Sequence, residues 1–171
     1  DNYLSVSKEV SLVIENAEIA GVSFDGEFET FTFDGSEHSI FVTGLPEGAT
    51  VEYNNNTHTN AGTYIVTATV SLEGYEDLVL TTTLVIKKAE QEISFNELED
   101  LNQLSDEYLQ LEATSTSGLP VIYSYTYETE DPAATVGPRG FVRILGGGQI
   151  TITATQEGSQ NYEAANPVVR T

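Results

Sequence analysis

The sequence predicts an all-β chain arranged as two double-sheet bodies in tandem. Three observations predict it: apolar residues recur with a period of two, turn residues punctuate those runs, and the pattern itself repeats. In Tyr64 to Val70, the side chains of Tyr64, Val66, Ala68 and Val70 share one face, while Thr67 and Thr69 take the other. Ile150, Ile152 and Ala154 alternate with Thr151, Thr153 and Thr155, and Leu78, Leu80, Thr82, Leu84 and Ile86 share a face in the longest run. Such alternation suits a half-buried antiparallel strand, because successive side chains point to opposite faces of the sheet. Asp25-Gly26, Asp34-Gly35 and Asn60-Ala61-Gly62 lie between runs and tolerate positive φ. No segment carries a sustained helical stripe. Asn96 to Tyr108 is the least strand-like stretch, with Leu98, Leu101 and Leu104 at spacing three, and reads as one helical turn or as a loop holding apolar plugs.

The repeat emerges when the N-terminus is laid over the middle of the chain. Asn2-Tyr3 falls on Gly74-Tyr75, Leu12-Val13-Ile14 on Leu84-Val85-Ile86, and Ala17-Glu18 on Ala89-Glu90, at a constant offset of 72. Residues 1–17 therefore read as the last strand of a preceding repeat, and residues 18–89 as a complete one. Residues 90–171 read as a diverged second unit. There Gly118-Leu119-Pro120 repeats Gly44-Leu45-Pro46, Thr153-Ala154-Thr155 repeats Thr67-Ala68-Thr69, and Asn161-Tyr162-Glu163 repeats Gly74-Tyr75-Glu76, at offsets of 74, 86 and 87. The jump in offset places an insertion near Asp131 to Gly148. Within it, Ala134 to Val136, a Gly137-Pro138-Arg139-Gly140 turn and Phe141 to Leu145 predict a hairpin. Lys88 to Gln91 reads as the hinge between units. Thr171 falls on Leu84, so the final strand is expected to be truncated. A period of this length exceeds the roughly 20–50 residues of solenoid modules and suits separate bodies, each with its own small core.

Composition narrows the function classes. The 171 residues are 39% hydrophobic, enough for a packed core. With 27 acidic and 6 basic residues, the net charge of −21 disfavours nucleic acid and anionic membrane surfaces, both of which require clustered Lys and Arg. The acids are spread evenly over both units, which reads as solubility and mutual repulsion between molecules. No apolar run is long enough to span a membrane. Without Cys there is neither a disulfide framework nor thiol catalysis, and the redox compartment stays open. The first residue is Asp1 and the chain has no Met, so it is expected to start inside a longer precursor.

Candidate chemistry is sparse. No EF-hand loop or Asp-x-Asp tandem is present to place the six to eight oxygens of a Ca²⁺ site, and 20 of the 27 acids are Glu. The acidic clusters Glu97, Glu99 and Asp100, and Glu128, Glu130 and Asp131, read as solvated loops. His38 and His58 sit beside turn residues and read as capping or exposed side chains, too few for a zinc site. Gly146-Gly147-Gly148 precedes a strand and so presents no helix N-terminus to a phosphate. The motif of a nucleophile elbow is missing. Only Lys8, Lys87 and Lys88 are available for an isopeptide crosslink, and all lie on terminal strands or the inter-unit link. The one aromatic stripe is Tyr123, Tyr125 and Tyr127, on one side of the run Val121 to Tyr127. It reads mainly as a core face with hydroxyls at the rim, and alternatively, with Tyr53 and Tyr64, as a ligand-facing platform on which a sugar stacks.

Phe33-Asp34-Gly35-Ser36-Glu37-His38-Ser39, then Val42 to Gly48, then Thr59-Asn60-Ala61-Gly62-Thr63-Tyr64, resembles the MBG-type repeat of large bacterial surface proteins. The second unit is similar to a related module that opens on Ile93-Ser94-Phe95, continues through Ser117 to Val121 and closes on Gly158 to Ala165. Phe33 stands where many members have Tyr. The resemblance implies two tandem Ig-like β-sandwich domains after an orphan strand, although the Cys-Trp-Cys signature of antibody domains is absent. It supplies no catalytic, cofactor or metal residues. The expected role is that of a non-catalytic stalk or spacer repeat, or an adhesive one, outside the cell at its surface. The alternative is a carbohydrate- or protein-binding module, for instance accessory to a surface glycoside hydrolase. The partners expected are neighbouring repeats and, in the binding case, host glycan or protein. No cofactor is expected.

Overall fold

The computed structural model describes residues 8–9, 11–12, 15–25, 29–100, 109–128 and 132–171, and every regular element among them is a β-strand. Leu101 and Leu104 of the ambiguous segment lie outside the described residues, as do residues 1–7, 10, 13 and 14 of the expected orphan strand. The chain divides into two compact units. One comprises Asp1–Glu29, His38–His58 and Tyr64–Leu84, the other Thr30–Glu37, Thr59–Thr63 and Val85–Thr171.

The first sequence repeat forms β1 (Ser23–Phe24), β2 (Glu29–Thr32), β3 (Val42–Thr43), β4 (Thr50–Asn54), β5 (Gly62–Ser71) and β6 (Leu78–Lys87). β1 pairs with β3, and the remaining strands form a sheet in the order β2-β6-β5-β4. The predicted faces hold: Val66, Ala68 and Val70 of β5 and Leu84 and Ile86 of β6 are buried, with the intervening residues more exposed. The core of the first unit gathers Ile19, Val22, Val42, Ala68 and Val70, with Phe24, Val51, Tyr53 and Leu80 packed around them.

The second sequence repeat forms β7 (Ile93–Phe95), β8 (Leu109–Gln110), β9 (Ala113–Ser115), β10 (Ile122–Thr126), β11 (Ala134–Val136), β12 (Phe141–Ile144), β13 (Thr151–Thr155) and β14 (Val168–Arg170). They make sheets β7-β9, β10-β13-β14 and β11-β12-β8. The core of the second unit holds Phe95, Leu111, Tyr123, Ala134, Val136, Val142, Ile152 and Ala154. The predicted hairpin forms: β11 and β12 pair antiparallel from Ala134↔Ile144 to Val136↔Val142, and the Gly140 amide donates to Gly137 O at 2.8 Å to close the turn. A Cβ on Gly140 (φ 86°) would stand 2.8 Å from a ring carbon of Tyr123, so only glycine fits there. The inserted hairpin gives β8 its partner, β12, whereas β2 of the first repeat pairs with β6.

The two repeats share more than their motifs. Tyr53 lies opposite Ala68 across β4 and β5, and Tyr123 lies opposite Ala154 across β10 and β13. Phe24 pairs with Val42, and Phe95 with Ala113. Each tyrosine crosses to the facing strand pair and takes its amide: Val42 N–H donates to Tyr53 Oη at 2.9 Å, and Ala113 N–H to Tyr123 Oη at 2.7 Å. Both opposing alanines are fully buried, and their small side chains leave room for the ring to leave its own sheet. This double-sheet, antiparallel arrangement is the expected Ig-like β-sandwich architecture.

Lys88 to Gln91 differs from the expected hinge. Ala89 N–H donates to Asn161 O, and Glu163 N–H donates to Ala89 O, both at 2.9 Å. Gln91 is buried, donates to Gln156 Oε1 and to Glu163 O, and accepts from Ser117 Oγ. A buried amide bonded through both its nitrogen and its oxygen resists movement, since each lost bond would leave a desolvated polar atom. Ala89 and Gln91 thus pin the segment that leads into β7.

Candidate functional site

β10 carries the tyrosine stripe singled out in the sequence. Its alternation turns Tyr123, Tyr125 and Tyr127 to one side, but the three meet different surroundings. Tyr123 is 7% exposed and packs edge-on against Phe95, with ring centroids 5.7 Å apart. Its hydroxyl is held by the Ala113 amide and lies 3.4 Å from Leu111 O. Burial pushes the Tyr123 phenol above its ordinary value of 10.0. The Ala113 hydrogen bond opposes that shift, and the Glu112 charge adds to it. Tyr125 is half-buried against the same core. Tyr127, just beyond the strand end, is 44% exposed, and its ring centroid is 6.2 Å from that of Tyr125 at a tilt of 31°. The structure thus brings Tyr125 and Tyr127 together at the rim and places Tyr123 in the core. The rim pair offers apolar ring surface with hydroxyls attached, a chemistry suited to a sugar ring or an apolar peptide side chain.

The other candidates are structural in their surroundings. His38 and His58 exchange backbone hydrogen bonds at 2.8 and 3.1 Å. His58 stacks on Tyr64 with centroids 3.5 Å apart, and its Nε2 lies 3.0 Å from Asn55 O. Next to this bridge, buried Asn56 copies a strand: its amide accepts from Ile40 N–H at 2.9 Å and donates to Ile40 O at 2.8 Å. Glu97, Glu99, Asp100 and Glu128 are exposed, while Glu130 and Asp131 lie outside the described residues. Glu90, Glu92 and Glu163 surround a cleft of about 480 Å³ floored by Gln91. Among the described residues no three His, Cys, Asp or Glu side chains stand close enough together to hold a metal ion. Gly146, Gly147 and Gly148 line a second cleft, of about 390 Å³, at the open end of the second core with Leu98, Ala133 and Ile150. Lys8, Lys87 and Lys88 are exposed.

Two features escaped the sequence reading. The first is the pair of tyrosine bolts at Tyr53 and Tyr123, whose common signal was a Tyr following each Gly-Leu-Pro. The second is the role of the repeated Tyr-Glu motif. Ala17 forms a parallel bridge with Tyr75, and Ala89 forms one with Tyr162. In each case the alanine just ahead of a repeat is clamped by that repeat's own Tyr-Glu motif, as Ala17 O accepts Glu76 N–H at 2.8 Å. The motif match at offsets 72 and 87 recorded that clamp without showing it.

Residues 27–90 match the family model of the MBG domain. No match is found among curated proteins. Among solved structures, the chain is similar to Drosophila N-cadherin EC1-3 at 11% identity and a TM-score of 0.36, covering 88% of this chain and 66% of that one. It is similar to human mucin-like protocadherin EC1-2 at 11% identity and a TM-score of 0.36, covering 88% of this chain and 96% of that one. A SusE-like surface-located polysaccharide-binding protein from the Bacteroides thetaiotaomicron heparin utilisation locus gives 13% identity and a TM-score of 0.29, covering 87% of this chain and 34% of that one. At scores this low the likenesses carry no further argument for this chain. No helix among the described residues is long and apolar enough to cross a membrane.

Proposed function

Taking residues 27–90 as an MBG-type repeat, we propose that the chain is a non-catalytic spacer of a bacterial cell-surface protein, carrying other parts of that protein away from the surface. The observation that carries this reading is the reuse of one structural plan. The same Phe pair, crossing Tyr, opposing Ala and Ala-Tyr clamp appear in both repeats, on residues engaged in holding the fold together. A spacer gains length from every added copy and needs no ligand groups, whereas a site would make one copy differ at a few converging side chains. The even acidic coat suits the same role, because it keeps neighbouring stalks apart. The test is replacement. In the full-length protein, an unrelated pair of Ig-like domains of similar length is expected to restore surface display and adhesion. Failure of the replacement, with display intact, would sink the spacer reading.

A second reading rests on the exposed Tyr127 beside Tyr125. In it the rim of β10 stacks a sugar ring of a host glycan. A glycan array probed with the chain would support it by a reproducible hit weakened several-fold in Tyr127→Ala, and would dismiss it by an empty array.

A further inference from the structure

The two Ala-Tyr clamps are alike on the inside and unlike on the outside. In the second unit, Tyr162 meets Phe33 edge-on, with ring centroids 5.4 Å apart and planes at 79°. Beside it, Asn161 Oδ1 accepts the Ala61 amide at 2.8 Å, and Asn161 Nδ2 donates to Asn60 Oδ1 at 2.9 Å. Phe33 N–H also donates to Lys87 O at 2.8 Å, two residues before the clamped Ala89. These contacts hold segments Thr30–Glu37 and Thr59–Thr63 within the second unit. In the first unit Ala17 clamps Tyr75 in the same way, yet Tyr75 is 40% exposed. Leu12, which falls on Leu84 at the offset of 72, is 83% exposed where Leu84 is fully buried.

We propose that the Tyr75 end is a docking face, and that its occupant is the Phe33 and Asn60 end of another repeat of this type joined in series ahead of it. The occupant is identified by the chain's own worked example: half-buried Tyr162 meets the Phe33 ring, and its neighbour Asn161 is bonded by the Asn60-Ala61-Gly62 loop. Covalent linkage matters, because a net charge of −21 opposes association of free copies, while a joined repeat is held at high effective concentration. Gly74 stands where the second unit has Asn161, so this face keeps the aromatic contact and lacks the amide's two bonds. The proposal rests on the spacer reading only in taking the repeats as serial modules.

The chain has no Cys, so engineered thiols report without background. In the native chain, Thr32→Cys with Glu163→Cys flanks the observed Phe33–Tyr162 contact, and a short bismaleimide is expected to cross-link it. In a fusion where a further copy of residues 18–89 replaces residues 1–17, Thr32→Cys in the added copy with Glu76→Cys in the original is expected to cross-link at a comparable rate. Tyr75→Ala is expected to slow the second reaction several-fold, as Tyr162→Ala slows the first. A fusion that does not cross-link, or does so regardless of Tyr75, would overturn the proposal. So would loss of the reference cross-link in the native chain. A glycan hit at Tyr127 would count against the spacer reading and leave this result standing.

Discussion

At Tyr123 a buried ring and a bonded hydroxyl make separate contributions. Removing the hydroxyl leaves the Ala113 amide without its 2.7 Å acceptor, so Tyr123→Phe is expected to cost about 1–3 kcal/mol, read as a lower melting midpoint. Tyr53→Phe removes the equivalent bond to Val42 from a less buried site and is expected to cost less, about 0.5–1.5 kcal/mol. The raised Tyr123 phenol also sets a pH dependence. The folded protein holds that proton more tightly than the unfolded chain, so this stability is fully present below 10.0 and is lost as pH rises through the higher folded value. The alkaline limb of a pH–melting series should flatten in Tyr123→Phe, and an unchanged limb would refute the assignment. Leu84 and Leu12 give the contrasting pair. They occupy the same repeat position, but Leu84→Ala empties a packed core at about 2–5 kcal/mol, while Leu12→Ala is expected to stay within about 0.5 kcal/mol.

Among elements, the β11–β12 hairpin is the clearest addition to a shared plan. Its turn and strands follow from Gly137-Pro138-Arg139-Gly140 and its flanking alternation, both visible in the sequence, while its register, with Val136 opposite Val142, comes from the folded pairing. What the sequence did not reveal is that the turn presses on the Tyr123 ring. Gly140→Ala forces a side chain into left-handed backbone, at about 1–2 kcal/mol, and into that ring, at about another 1–3 kcal/mol. A melting measurement should show the loss at Gly140→Ala and none at Gly146→Ala, where an added Cβ meets nothing within 4 Å. The segment Lys88 to Gln91 makes the opposite point. Its shortness and polarity suggest a hinge, yet its alternate residues are clamped by partners some seventy positions away in the chain. Local sequence carries no sign of partners that distant.

For the molecule as a whole, charge is the dominant uncompensated quantity. Among the described residues a single ion pair stands out, Arg170 Nε to Glu97 at 3.4 Å, and with Glu97 largely exposed its net contribution is small. Carboxylates that repel across the surface favour the expanded chain, so added salt is expected to raise the melting midpoint by screening them. A midpoint independent of salt would show that the charges lie too far apart to matter. If the rise is screening alone, calcium and a chelator at equal ionic strength should give the same midpoint, whereas a calcium-specific increase would reveal a cation site.

Strand periodicity, the hairpin, the repeated motifs and the resemblance to the MBG family were legible in the residues alone, because each is written in residues close together or in copies of one another. Folding settled which tyrosines face solvent, that Ala89 and Gln91 are anchored, and that the Tyr162 ring meets Phe33 while Tyr75 stays exposed. Period-two alternation assigns a residue to a face of its sheet. What lies over that face depends on chain segments brought there by folding, and no local pattern encodes them.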